Sequence, residues 1–171
     1  MFKRLLAALC AVALCTAMVG CGKTDTPNDQ TTQEEEQQGE TKTVTLYLPD
    51  EQAESVVPTE TEISVSGEDE AADLMAALVE QGVLPAEAAV NSLTKDDNNN
   101  LTLDVNAVFA EALSSSGTAG ETMMIASVAD TFLAYYGAAS LLITVDGGTL
   151  ETGHALYDEP FTQIFDAAPA A

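Results

Sequence analysis

From Gly22 to Lys42 the chain reads GKTDTPNDQTTQEEEQQGETK, 21 residues without a single aliphatic or aromatic side chain. Such a segment has no apolar surface to bury against the entropy of ordering, so residues 21–42 are expected to form a disordered acidic tether. Whatever folds must then begin at Thr43. The root-mean-square reach of the tether is roughly 25 Å, and greater where Glu34, Glu35 and Glu36 repel one another. The remainder, residues 43–165, has the length of one domain, with residues 166–171 expected as a flexible tail. An overall 46% of hydrophobic residues is enough to build a core.

Ahead of the tether, Lys3 and Arg4 precede an apolar run over residues 5–19. That run fits a secretory h-region and falls short of the roughly 20 residues that span a bilayer. Residues 1–20 therefore read as a signal peptide. Met18, Val19, Gly20 and Cys21 resemble the bacterial lipobox, in which a small residue precedes a cysteine that is acylated and becomes the new N-terminus. Gly20 fits that pattern, while Met18 and Val19 stand where Leu and a small residue are more usual. The reading makes Cys21 the lipid-attachment residue, carrying palmitate-type chains. Two acyl chains hold firmly, since each buried CH₂ contributes about 0.8 kcal/mol and one chain holds only reversibly. The expected place is the extracytoplasmic face of the cell membrane.

Charge narrows the partners. The chain has 28 Asp and Glu against 5 Lys and Arg, a net charge of −23. Removing Lys3 and Arg4 with the signal peptide leaves 3 basic residues. Such a surface repels nucleic acid and anionic lipid, so membrane attachment must come from the acyl chains. Cys10 and Cys15 depart with the signal peptide and Cys21 carries lipid, so the domain is expected to stand on its core alone, without disulfides.

In the foldable part, Val44, Leu46 and Leu48 alternate with Thr43, Thr45 and Tyr47, a half-buried strand stopped by Pro49 and Asp50. Two short β-prone pieces follow around Pro58, which belongs at an edge or a bend. Ala71, Leu74, Met75, Leu78 and Val79 fall at i, i+3, i+4, i+7 and i+8, predicting a helix begun by Glu68, Asp69 and Glu70 and ended by Gly82. An extended run near residues 88–93, a polar turn over 95–100 and the alternating Leu101, Leu103 and Val105 predict a β-hairpin. Val108, Phe109 and Leu113 predict a short helical turn. A second helix is expected from Thr118, whose hydroxyl and the carboxylate of Glu121 form a capping box, through Tyr135 to Gly137. SLLITV over residues 140–145 is an apolar strand ended by Asp146, Gly147 and Gly148. Phe161, Ile164 and Phe165 predict a last turn docked on the core. The order β-β-α-β-β-α-β gives an α+β fold, a mixed β-sheet covered on one face by two helices.

Catalytic signals are sparse. The one histidine, His154, lies in a turn beside Gly153, and no G-x-S-x-G elbow accompanies it; Ser114, Ser115 and Ser116 read as a loop leading to a helix cap. Asp96, Asn98 and Asn100 match three positions of an EF-hand loop, but Leu101 stands where glycine is needed and Ala107 where glutamate is needed. A hairpin tip explains them, so no metal site is assigned. Asp104 and Asp130 are carboxylates set within ordered elements, Asp104 by default on a solvated outer face. No Walker loop and no G-x-G-x-x-G is present, so neither nucleotide nor other cofactor is expected. The function classes left are a non-catalytic interaction module with a protein partner in the envelope, a lipoprotein binding a cell-wall fragment or small solute, and a hydrolase depending on His154 or Asp104.

Several segments, in order, resemble the GerMN domain family of spore germination and sporulation proteins: TLYLPDEQ from Thr45, SVVPTETEI from Ser55, GVLP from Gly82, LTLDVNAVF from Leu101, GTAGE from Gly117, SLLITVDGG from Ser140 and GHALYDEPF from Gly153. The likeness spans residues 43–161. It implies a non-catalytic extracytoplasmic module, related to the ring-building folds of sporulation complexes, with no catalytic residue to carry over. Members typically hold two copies of the domain where this chain has one, and their hairpin tip is often a tight Asp-Gly turn where this chain has DDNNN.

Overall fold

The structure, a computed structural model, describes residues 40–166. The expected signal peptide, Cys21, the tether up to residue 39 and the tail from residue 167 lie outside the described residues.

Strand β1 (Glu40–Pro49) pairs antiparallel with β2 (Val56–Val65) as a two-stranded sheet. Glu40, Thr41 and Lys42, which their composition assigned to the tether, are therefore strand. They sit opposite Val65, Ser64 and Ile63, and the ladder asks only for backbone N–H and C=O groups. Lys42 also bonds Glu70 and the Tyr135 hydroxyl. The connecting turn is closed by Asp50, whose carboxylate accepts the N–H of Gln52 and Glu54 and the hydroxyl of Ser55. Pro58 lies within β2 opposite Tyr47. Both strands of a two-stranded sheet are edges, which is where a residue lacking an N–H is tolerated.

Helix α1 (Glu70–Glu80) follows its predicted stripe, burying Ala71, Leu74, Met75, Ala77 and Leu78. Asp69 caps it, accepting the N–H of Ala71 and Ala72 at 3.1 Å each, and Gly82 at φ +73° turns the chain away. Then β3 (Val90–Lys95) and β4 (Asn100–Val105) form the predicted hairpin. At its tip, Asp96 accepts the N–H of Asn98 and Asn100 at 2.8 Å each, with Asn99 at φ +66°. The DDNNN run thus closes a turn, as its residue types predict.

The short turn and the second helix expected separately are one element, α2 (Ala107–Tyr136), broken by Gly117 at φ +69° and ψ +169°. That backbone region is almost exclusive to glycine. Ser114, Ser115 and Ser116 belong to the helical turn before the break and not to a loop; their hydroxyls donate back to Ala110, Ala112 and Leu113 carbonyls. At the far end, Gly137 at φ +56° is the predicted αL cap. Lys95 Nζ adds a bond to the Tyr136 carbonyl at 3.0 Å, placing a cation at the negative end of the helix dipole.

After α2, β5 (Ser140–Val145) pairs parallel with β4, so that α2 is the crossover between them. Asp146 and Gly147, at φ +48° and +78°, do more than stop β5. Val145 faces Gly148 across them, the arrangement of a type I′ hairpin, and β6 (Gly148–Glu151) returns antiparallel, followed by β7 (Leu156–Tyr157). The five strands run β3-β4-β5-β6-β7, apart from the β1–β2 pair. The fold is α+β with two helices, as predicted, but its strands form two sheets with two additional strands.

One large apolar cluster joins Leu46 and Ile63 of the hairpin, Leu74 and Leu78 of α1, Phe109 and Phe132 of α2, and Leu101, Leu103, Leu141 and Ile143 of the sheet. Each such side chain contributes about 1.5–3 kcal/mol on burial. No cysteine lies among the described residues, so this cluster holds the fold.

Candidate functional site

The site centres on a carboxylate that the sequence assigned to a cap. Glu121 lies one turn past the break at Gly117, with its side chain 3% exposed. It does not reach back to the helix start. Its Oε1 accepts the Thr152 hydroxyl at 2.7 Å and the Tyr157 hydroxyl at 2.6 Å, tying α2 to the end of β6 and to β7. Oε2 accepts no well-formed hydrogen bond, and His154 Nδ1 lies 3.3 Å from it. Gly153 at φ +69° turns the chain so that His154, half exposed, comes over the carboxylate. Burial pushes the Glu121 carboxyl up, but the bonds from Thr152 and Tyr157 and the imidazole together outweigh it, holding the group below the usual carboxylate range. Burial, then the bond to Glu121, push the Tyr157 phenol up to about 12.

The other sequence candidates are each bound into a different place. His154 meets Glu121 through its ring. Asp104, expected on a solvated face, is a joint: it accepts the Thr144 hydroxyl at 2.6 Å, the Gly147 N–H at 2.7 Å and the Asn91 amide at 3.0 Å. The first two bonds hold its carboxyl below the usual range, and together they fix the β5–β6 turn. Asp130, 1% exposed, accepts the N–H of Ile164 at 2.7 Å and of Phe165 at 3.0 Å. Burial pushes its carboxyl up against those two bonds. The C-terminal segment does dock, though not as a helical turn: Phe161 bridges to Leu141, and Asp130 accepts the amides of Ile164 and Phe165. Asp104, Asp130 and His154 share no bonding partner. The hydroxyls of Ser114, Ser115 and Ser116 are spent on their own helix, so the structure brings no serine to His154.

Two open grooves lie elsewhere and are apolar. The larger, about 350 Å³, runs between α1 and the segment entering β3, lined by Ala72, Met75, Ala76, Val79, Ala88 and Val90 with Glu80. A smaller one, about 210 Å³, lies among Pro49, Val83, Gly120, Met123 and Met124. None of Glu121, His154, Asp104 and Asp130 lines either groove. The larger groove thus presents an apolar surface with one ionisable lining group, Glu80. Sequence reasoning missed the larger groove; its signal was Ala72, Ala76 and Val79, a second face at i, i+4 and i+7 beside the buried stripe. Among the described residues no helix is long and apolar enough to cross a membrane.

Comparison with known proteins bears on the fold and the family. No curated protein matches the chain. Among solved structures, the tandem GerMN domains of the sporulation protein GerM from Bacillus subtilis superpose with a TM-score of 0.58 at 19% identity, over 72% of this chain and 47% of that one. The chain thus spans about half of that tandem protein. The first GerMN domain of the same protein aligns with a TM-score of 0.49 at 20% identity, over 62% of this chain and 84% of that one. The profile of the Germane family, described as sporulation and spore germination, matches residues 45–151. That match runs from the second half of β1 through β6 and takes in both helices and Glu121, and on it the chain belongs to the Germane family of sporulation and spore germination domains.

Proposed function

We propose that the protein is a lipoprotein anchored through Cys21 to the extracytoplasmic face of the cell membrane. Its domain serves as a non-catalytic interaction or scaffold module in envelope complexes of sporulation or germination. The observation that carries the non-catalytic reading is the use made of the reactive groups: Glu121, Asp104 and Asp130 are all occupied in joining elements, away from both grooves. The anchor rests on the sequence, a 15-residue apolar run followed by Gly20 and Cys21. A wall-glycan ligand has less support, since the larger groove is lined mainly by alanine and offers no aromatic ring for a sugar to stack on.

Cys21→Ser should move the protein from the membrane to the soluble extracytoplasmic fraction. Cross-linking in intact membranes of sporulating cells should recover a defined protein partner, and deletion should impair spore formation or germination. A membrane-bound Cys21→Ser chain refutes the anchor. Absence of both a partner and a phenotype refutes the scaffold role.

A further inference from the structure

The larger groove says something about the partner. Its floor is Met75, 1% exposed, and its walls are methyl groups on both sides, Ala72 and Ala76 from α1 and Ala86 and Ala88 from the segment entering β3. Small walls leave the cleft open, and a methionine floor adapts to apolar side chains of different shape. Around it the charge has one sign. Glu80 lines the groove, and Glu87 is exposed in the wall segment between Ala86 and Ala88. Lys42 and Lys95 are the only Lys or Arg residues among the described ones, and His154 lies over Glu121. Lys42 is engaged with Glu70 and Tyr135, and Lys95 with the Tyr136 carbonyl. Next to the groove, β3 is the outer strand of its sheet, paired with β4 alone.

An apolar cleft lined by one carboxylate, Glu80, with the exposed Glu87 beside its wall, discriminates among occupants. A second copy of the chain would bring carboxylates against carboxylates, within the roughly 8 Å over which charge is felt at physiological salt. Anionic lipid and nucleic acid are repelled for the same reason. The chain's own residues 22–42 hold no aliphatic or aromatic side chain to place there. We infer that the groove between α1 and residues 86–90 docks a basic segment of a partner protein, with an aliphatic side chain over Met75 and flanking Lys or Arg side chains against Glu80 and Glu87. This rests on the scaffold reading and names the chemistry of the partner.

The test titrates the full chain into a fluorescein-labelled peptide of alternating Lys and Leu, followed by anisotropy, with a Glu–Leu peptide as charge control. The Lys–Leu peptide binds and the Glu–Leu peptide does not. Glu80→Lys combined with Glu87→Lys weakens binding roughly tenfold, and so does Ala76→Leu, which fills the cleft from an exposed position without changing charge. Glu62→Lys combined with Glu111→Lys, the same charge change on β2 and on α2, weakens it by less than about threefold. Absence of Lys–Leu binding, equal losses in the two charge variants, or binding untouched by Ala76→Leu each overturns the groove, the last two by showing diffuse attraction. Should Ala76→Leu fail to fold, the paired charge variants still decide. A membrane partner recovered equally by wild type and by the Glu80→Lys, Glu87→Lys variant overturns the groove alone and leaves the scaffold role standing.

Discussion

Glu121→Ala should be among the most destabilising single substitutions outside the apolar core. It removes a nearly fully buried carboxylate and strands two donors, the hydroxyls of Thr152, itself 3% exposed, and of Tyr157. A donor left without its acceptor costs about 1–3 kcal/mol, and breaking a buried charged cluster from one side costs about 3–5 kcal/mol. A loss of about 3–5 kcal/mol is therefore expected, measured by urea unfolding followed by far-UV circular dichroism. Glu121→Gln separates shape from charge. Its amide oxygen can still accept both hydroxyls while its NH₂ faces His154 Nδ1, so a cost of about 1 kcal/mol is expected at neutral pH.

The sign of the pH dependence follows from the lowered carboxyl. A folded-state value below the ordinary 4.5 means that the charged form is the one the fold favours. Its contribution is complete above about 4.5 and is lost as pH falls through the lower folded value. The stability gap between wild type and Glu121→Gln should accordingly close on acidification, because a protonated glutamate resembles a glutamine. Measuring the difference between the two proteins cancels the other carboxylates of this acidic chain. A Glu121→Ala protein within about 0.5 kcal/mol of wild type, or a gap constant from neutral pH to about pH 3, would refute the reasoning.

Burial and the bond to Glu121 push Tyr157 up to about 12, and burial does the same for Tyr136. The stability this brings is present below the ordinary phenol value of 10 and lost as pH rises through about 12; tyrosinate absorbance at 295 nm should then rise together with loss of ellipticity, whereas titration centred on 10 in a folded protein contradicts it. Gly117→Ala places a side chain in a backbone region reserved for glycine and should cost about 1–3 kcal/mol in urea unfolding; an unchanged midpoint would show that the helix break is not needed. Asp130→Ala should speed amide exchange at Ile164 and Phe165 at least about tenfold with Leu103 unaffected, and equal exchange at all three would deny Asp130 its role in docking the C-terminal segment.

Much of this fold is local in origin, and so was legible in the sequence. The stripe from Ala71 to Val79, the alternation at Leu101, Leu103 and Val105, the αL glycines 82 and 137 and the Asp96 turn each involve neighbours in sequence, and each occurs as the residue types require. The first three residues of β1 escaped because strand pairing satisfies their backbones across the sheet, which side-chain composition does not record. Likewise Asp146 and Gly147 read as a stop, since only the presence of a partner strand turns a stop into a hairpin.

Tertiary structure alone decided what the carboxylates do. Glu121, three residues after Thr118, carries a local capping signal, yet it is drawn to Thr152 and Tyr157, 31 and 36 residues away. A buried carboxylate gains more from two donors shielded from water than a solvated cap gains from one backbone N–H. Asp104 and Asp130 likewise meet partners more than 30 residues distant. The groove follows the same rule, since Ala76 and Ala88 line one cleft only once α1 lies beside the segment entering β3. The sequence by itself determined the α1 stripe, the β3–β4 hairpin, the β5 strand and the expectation of an anchor, through periodicity and side chains acting on near neighbours. Which carboxylates became joints, and where an apolar surface stayed open, depended on contacts between residues far apart in the chain.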